Sequence, residues 1–184
     1  MLRYRHRVSK GVDIFVPDPD VLDDVAARLS DQTFVAEPAS LKLFLAEGEI
    51  DFVASRPVSA DAARRETILA REMWVETSAE IVAKKIWYRA ARFSARDVVD
   101  LAVVAKREPA ALLRVEPVLA ARRTALLGRL ASHQAARRED FAALDLLELR
   151  ESFDECLEVV REILQPPTRA EQPRAAYRLM PALI

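Results

Sequence analysis

With 184 residues, 51% of them hydrophobic and 31% charged, the chain has the composition of a soluble globular protein. Its length suits one substantial core with a helical extension better than two large domains. No stretch approaches the roughly 20 apolar residues that cross a bilayer. The basic start from Met1 to Lys10 leads into no apolar run with a small-residue cleavage site, so a cytoplasmic location without membrane contact is expected. A net charge of −1 excludes global attraction to nucleic acid and leaves only a local basic patch for that purpose. The single cysteine, Cys156, excludes an internal disulfide framework and a multi-thiolate zinc site, and reads as a small buried residue of a late helix. Only three glycines are present, and no Walker or dinucleotide fingerprint occurs among them.

The front of the chain reads as strands with one helix. Val12 to Val16 is a short apolar run ended by Pro17, and Pro19 to Leu29 has helical spacing through Val21, Leu22, Val25 and Leu29. Strands are expected at Thr33 to Ala36, Leu41 to Leu45 and Ile50 to Ala54, the last two joined as a hairpin across Ala46 to Glu49. From Glu76 the signals turn helical. Thr77 with Glu80, Ser94 with Asp97 and Ser152 with Glu155 have capping-box spacing and predict three helix starts. Pro109 and Pro117 are expected near the starts of further helical pieces, because proline is tolerated in a first turn and not in an interior. Val118 to Leu130 and Phe153 to Leu164 are the last helices. Pro166, Pro167 and Pro173 mark an extended tail.

Strands followed by helices predict an α+β fold: a sheet region over 1–76, a helical region over 77–165 packed on it as part of the same domain or as a helical subdomain, and an extended tail over 166–184.

Asp13 within Val12 to Val16, and Asp51 within Ile50 to Val53, sit in apolar surroundings that read as strands buried in a sheet. An ionised carboxylate there needs a cation or several donors. Two such residues could share one Mg²⁺ through oxygen ligands. Alternatively each lies at a strand end, solvated or paired with arginine. Lys85 emerges beside the apolar face of the helix opened by Thr77. It can reach a phosphate in a cleft or snorkel to water, and Lys84 would take its role if the helix were turned by one residue. Asp97 and Asp100 share a helix face; capping explains Asp97 and leaves Asp100 the more suggestive. Arg89, Arg92 and Arg96 with Trp87 and Tyr88 form a basic and aromatic cluster able to hold RNA, or a charged helix surface. His6 and His133 have no ligand spacing.

Two segments resemble the AbiEii/AbiGii nucleotidyltransferase toxin family. Arg3-Tyr4-Arg5-His6-Arg7-Val8-Ser9-Lys10-Gly11-Val12-Asp13 is similar to that family's Arg-Tyr-Gly-His-Arg-x-Ser-x-Asp-hydrophobic-Asp pattern. Glu80 to Ile86, followed by Arg96-Asp97-Val98-Val99-Asp100-Leu101, looks like its helix-borne lysine and the Arg/Lys-Asp-x-x-Asp-Leu beyond it. Glu49 to Val53 falls where a further carboxylate is expected. The resemblance implies a nucleotidyltransferase-like mixed sheet with a C-terminal helical block, on which Asp13 and Asp51 bind Mg²⁺ and a nucleoside triphosphate. Lys85, Asp97 and Asp100 would serve catalysis, and Arg7, Ser9, Lys84, Arg89, Arg92 and Arg96 would contact substrate. It further implies an RNA, such as tRNA, or a protein as acceptor, and a cognate antitoxin as partner in toxin-antitoxin or phage defence. Three departures are visible: Gly11 stands where the family has its first aspartate, Arg5 replaces a family glycine, and the Gly-Ser loop expected upstream of Arg3 is not in this sequence. They imply an alternative, a nucleotidyltransferase-fold module that binds a nucleotide, RNA or partner without turnover.

Overall fold

A computed structural model describes residues 3–29, 31–132 and 134–165. The expected tail and His133 lie outside the described residues. The architecture is α+β, a mixed sheet followed by a helical block. Among the described residues, six strands, β1 (Gly11–Val16), β2 (Phe34–Glu37), β3 (Ser40–Leu45), β4 (Gly48–Ala54), β5 (Ala63–Ile68) and β6 (Arg71–Glu76), are accompanied by α1 (Asp20–Arg28). The helices α2 (Ser78–Arg89), α3 (Ala95–Arg107), α4 (Pro109–Ala131), α5 (Gln134–Ala142) and α6 (Phe153–Ile163) follow.

The four-stranded sheet has the order β1-β4-β3-β2, with β1 parallel to β4 and the other neighbours antiparallel. Alternation along each strand divides its residues between two faces. Val16, Phe34, Leu41, Leu43, Ile50, Phe52 and Ala54 pack under Leu22, Val25, Ala26 and Leu29 of α1. The opposite face carries Asp13 and Phe15 of β1, Lys42 of β3, and Glu49 and Asp51 of β4. One face is thus a small hydrophobic core, and the other is polar and turned toward α2.

The larger core lies in the helical block, where Ile86, Phe93, Leu101, Leu119, Leu126, Leu130, Leu157 and Val160 are essentially inaccessible. Each such side chain contributes roughly 1.5–3 kcal/mol of burial. Residues 5–8 run beside residues 145–148: Val8 N donates to Asp145 O at 2.8 Å and Leu147 N to His6 O at 3.0 Å. The stretch preceding β1 therefore belongs structurally to the helical block.

Two expectations are corrected, and one element is added. Pro117 opens no new helix but lies inside α4. It has no N–H to give the carbonyl of residue 113, and Leu113 is 80% exposed, so water can satisfy that group. The Thr77–Glu80 box is half formed: Glu80 N donates to Thr77 Oγ1 at 3.2 Å, while the Glu80 carboxylate accepts instead from Val58 N at 2.8 Å and Ser59 N at 2.7 Å. The boxes at Ser94 and Ser152 are complete. Finally, β5 and β6 form a separate two-stranded hairpin that strand patterning alone does not announce.

Candidate active site

Asp13 and Asp51 are register partners across the parallel β1–β4 pair, so both carboxylates leave the sheet on its polar face from adjacent strands. The expectation that both lie buried within a sheet is corrected for β1, an edge strand with Val12 61% exposed. Asp13 is exposed and keeps its hydration. Asp51 is partly buried, and its Oδ2 accepts from the Lys42 ammonium at 3.1 Å. The same ammonium reaches Glu49 Oε1 at 3.1 Å. Hydrogen bonds to Asp51 and Glu49 raise the Lys42 pKa above its ordinary value.

Of the two adjacent lysines on α2, Lys84 faces the sheet. Its ammonium lies 3.5 Å from the centre of the Phe15 ring, on the β1 face that carries Asp13. It donates to Glu76 Oε1 at 2.5 Å and is 3.9 Å from Glu80 Oε1. Burial pushes the Glu76 carboxyl above the usual range; Lys84 opposes the shift, and the charges of Glu80 and Asp13 add to it. Glu76 Oε2 is buried without a hydrogen-bond partner among the described residues.

Lys85 points the other way. It is 87% buried by side-chain exposure and donates to Asp97 Oδ1 at 3.0 Å and Asp100 Oδ2 at 2.5 Å, so it does not snorkel. Asp100 also accepts two hydrogen bonds from Arg7, Nε to Oδ1 and a terminal nitrogen to Oδ2, both at 2.9 Å. His6 Nε2 completes the set at 2.8 Å from Oδ1. Burial alone would raise the Asp100 pKa, but Lys85, His6 and Arg7 together hold it far below the ordinary carboxylate range. For Asp97, burial is likewise outweighed by Lys85 and by the Ser94 cap, and the pKa is lowered. The family-like residues therefore fall into two groups: Asp13, Asp51 and Lys84 on the sheet face, and Arg7, Lys85, Asp97 and Asp100 in a buried ion network of the helical block.

The remaining candidates border these groups. Ser9, just ahead of β1, donates from Oγ to Gly11 O at 3.0 Å and is exposed. Arg89 is 3.6 Å from Asp97 Oδ1 with more than half its side chain in water. Arg92, Arg96 and Tyr88 are exposed beside it, and the Trp87 ring is covered by the Arg122 guanidinium at 4.2 Å. Lys42, Glu49 and Glu76 are neighbours of the carboxylate pair that were not anticipated. Once β3 and β4 are taken as a hairpin, period-two alternation places Lys42 and Glu49 on the Asp51 face; Glu76 had no such signal.

Among the described residues, no group of three or more His, Cys, Asp or Glu side chains converges as a metal site. Asp13 and Asp51 alone still fit Mg²⁺, which is commonly held by one or two carboxylates together with substrate phosphates. At Gly11, an added Cβ would stand 2.9 Å from the backbone oxygen of Glu49 and 2.8 Å from its Cγ. The β1–β4 approach there leaves no room for a side chain. Among the described residues, no helix is long and apolar enough to cross a membrane.

No family model matches the chain, and no curated protein matches it. Among solved structures it is similar to the "Crystal structure of putative nucleotidyltransferase from H. pylori", with 13% identity, a TM-score of 0.41, and coverage of 89% of this chain and 80% of that one. At that distance neither substrate nor mechanism passes from one chain to the other.

Proposed function

We propose that the polar sheet face is a nucleotidyltransferase-like active site that moves a nucleotide from a nucleoside triphosphate to a hydroxyl of an RNA, such as tRNA, or of a protein. The observation carrying this reading is the side-by-side placement of Asp13 and Asp51 on adjacent parallel strands, on the face that α1 does not cover. Asp13 and Asp51 would hold Mg²⁺, which when bound offsets the charge of the phosphates. In the reaction the acceptor oxygen forms a bond to the α-phosphorus, the bond to the bridging oxygen breaks, pyrophosphate leaves, and the hydroxyl proton passes to solvent. Lys42 lies between Asp51 and Glu49 and can exchange a carboxylate for a phosphate oxygen. The sequence motifs add the expectation of a toxin-antitoxin or phage-defence role with a cognate antitoxin as partner.

A second reading, nucleotide or RNA binding without turnover, is favoured by two observations. Gly11 leaves Asp13 as the only carboxylate of β1, and Lys85 is committed to Asp97 and Asp100. One assay decides between the readings. The protein is incubated with Mg²⁺, each labelled triphosphate and total tRNA, beside Asp13→Asn and Asp51→Asn. Label transfer that both substitutions abolish supports the enzyme; triphosphate binding without transfer supports the binding module. Transfer that persists in both variants overturns the site.

A further inference from the structure

Trp74 is a large aromatic residue left 69% exposed. On the β5–β6 hairpin it is the register partner of Arg65, as Glu76 is of Ala63, so Arg65, Trp74 and Glu76 share one hairpin face. The Arg65 guanidinium lies 5.8 Å from the Trp74 ring centre, within cation–π range, which restrains an otherwise free indole. Two residues along the strand, about 7 Å away, Glu76 receives the Lys84 ammonium, which itself rests on Phe15 beside Asp13. Trp74 thus lies on the hairpin face of Glu76, whose Lys84 partner rests on the sheet face that carries Asp13 and Asp51.

We infer that Trp74, backed by Arg65, is a stacking platform for the nucleobase of the triphosphate whose phosphates lie at Asp13 and Asp51. This rests on the proposed nucleotide site and adds its base subsite. An exposed indole with a cation over it offers a π surface to any base, whereas the neighbouring hairpin side chains of the same face, Thr67 and Glu72, lie toward the turn. Recognition is therefore by stacking rather than by reading a base edge, and purines bind more tightly than pyrimidines because they offer more ring area.

The test is calorimetric titration of the full chain with Mg²⁺-ATP and, separately, with Mg²⁺ and inorganic triphosphate, for wild type, Trp74→Ala, Trp74→Phe and Asp13→Asn. Trp74 is a surface residue, and circular dichroism verifies the fold of each variant. Trp74→Ala is expected to weaken ATP about tenfold, to leave triphosphate unchanged, and to be rescued by Trp74→Phe. Equal ATP affinity in wild type and Trp74→Ala overturns the platform. Triphosphate binding that depends on Asp13, with ATP no tighter than triphosphate, overturns the platform while the phosphate site stands. If neither ligand binds, both fall.

Discussion

The Lys85 ammonium and the Asp100 carboxylate stand 2.5 Å apart inside the helical block, where Asp100 is 2% exposed. Arg7 and His6 approach the same carboxylate from the segment preceding β1, so Asp100 ties the start of the chain to α2 and α3. Removing its charge leaves the buried Arg7 guanidinium without a carboxylate partner and Lys85 with Asp97 alone. Asp100→Asn is expected to cost about 3–5 kcal/mol in urea unfolding. Lys85→Met should cost less, because Arg7 and His6 remain. An Asp100→Asn protein as stable as wild type would show that the network is not structural.

The same network sets the acid limb of the stability profile. Asp97 and Asp100 have folded pKa values below their unfolded ones, so their contribution is present above the unfolded value, about 3.9, and is lost as pH falls through the folded values. Glu76 has the opposite sign: its folded pKa is raised, so stability is gained as pH falls through that value. The urea midpoint is therefore expected to hold or rise slightly as pH falls from about 7 to about 5, through Glu76, and to drop only below about pH 4 as Asp97 and Asp100 protonate. Carbon-13 titration of the aspartate carboxyls checks the assignment. An ordinary pKa at Asp100 would contradict the network.

Two glycines should respond in opposite directions to one substitution. Gly11→Ala places a methyl 2.9 Å from the Glu49 carbonyl and is expected to destabilise by about 1–3 kcal/mol. Gly128 lies within α4 with nothing within 4 Å of an added Cβ, so Gly128→Ala should stabilise by about 0.5–1 kcal/mol. Thermal melts of the two variants make the comparison. Gly11→Asp inherits the same collision, which makes it a poor route to a second carboxylate on β1.

Legibility followed the strength of local patterning. The runs around Leu41 and Ile50 are readable as strands because one face of each packs under α1, the run around Val12 is readable from its apolar residues although Val12 and Ile14 stay exposed, and Ser94 and Ser152 mark their helices through caps that form as spaced. The β5–β6 hairpin was not readable: Arg64, Arg65 and Glu66 look like a loop, and Leu69-Ala70 lacks turn chemistry. The pairing of Asp13 with Asp51 depends on a parallel crossover, which no local pattern reports. Likewise, the direction of Lys84 and Lys85 is decided by whether Glu76 or Asp100 receives the ammonium, and both partners are set by tertiary packing.

Arg5 has φ +46°, in the left-handed region, at the position where the family-like motif carries glycine. An L-residue there costs roughly 1–2 kcal/mol, partly offset by the greater unfolded freedom of glycine. Its contact with Glu148 at 3.3 Å is exposed and adds little. Arg5→Gly is expected to stabilise by about 0.5–1 kcal/mol, read as a higher urea midpoint at unchanged slope. A loss of stability would mean that the Glu148 contact outweighs the backbone strain.

The β5–β6 turn supplies the last prediction. Leu69 and Ala70 have φ +50° and +62°, the paired left-handed conformation of a two-residue type I′ hairpin loop. That turn favours Asn-Gly, and Leu69 leaves 93% of its surface in water, so nothing packs to justify it. Leu69→Asn with Ala70→Gly should stabilise the hairpin by about 1 kcal/mol and remove an exposed apolar tip. Because Trp74 lies outside the turn and its Arg65 partner is unchanged, ATP affinity should stay constant while amide exchange across β5 and β6 slows. Faster exchange would show that the native turn is held by contacts of Leu69 rather than tolerated despite it.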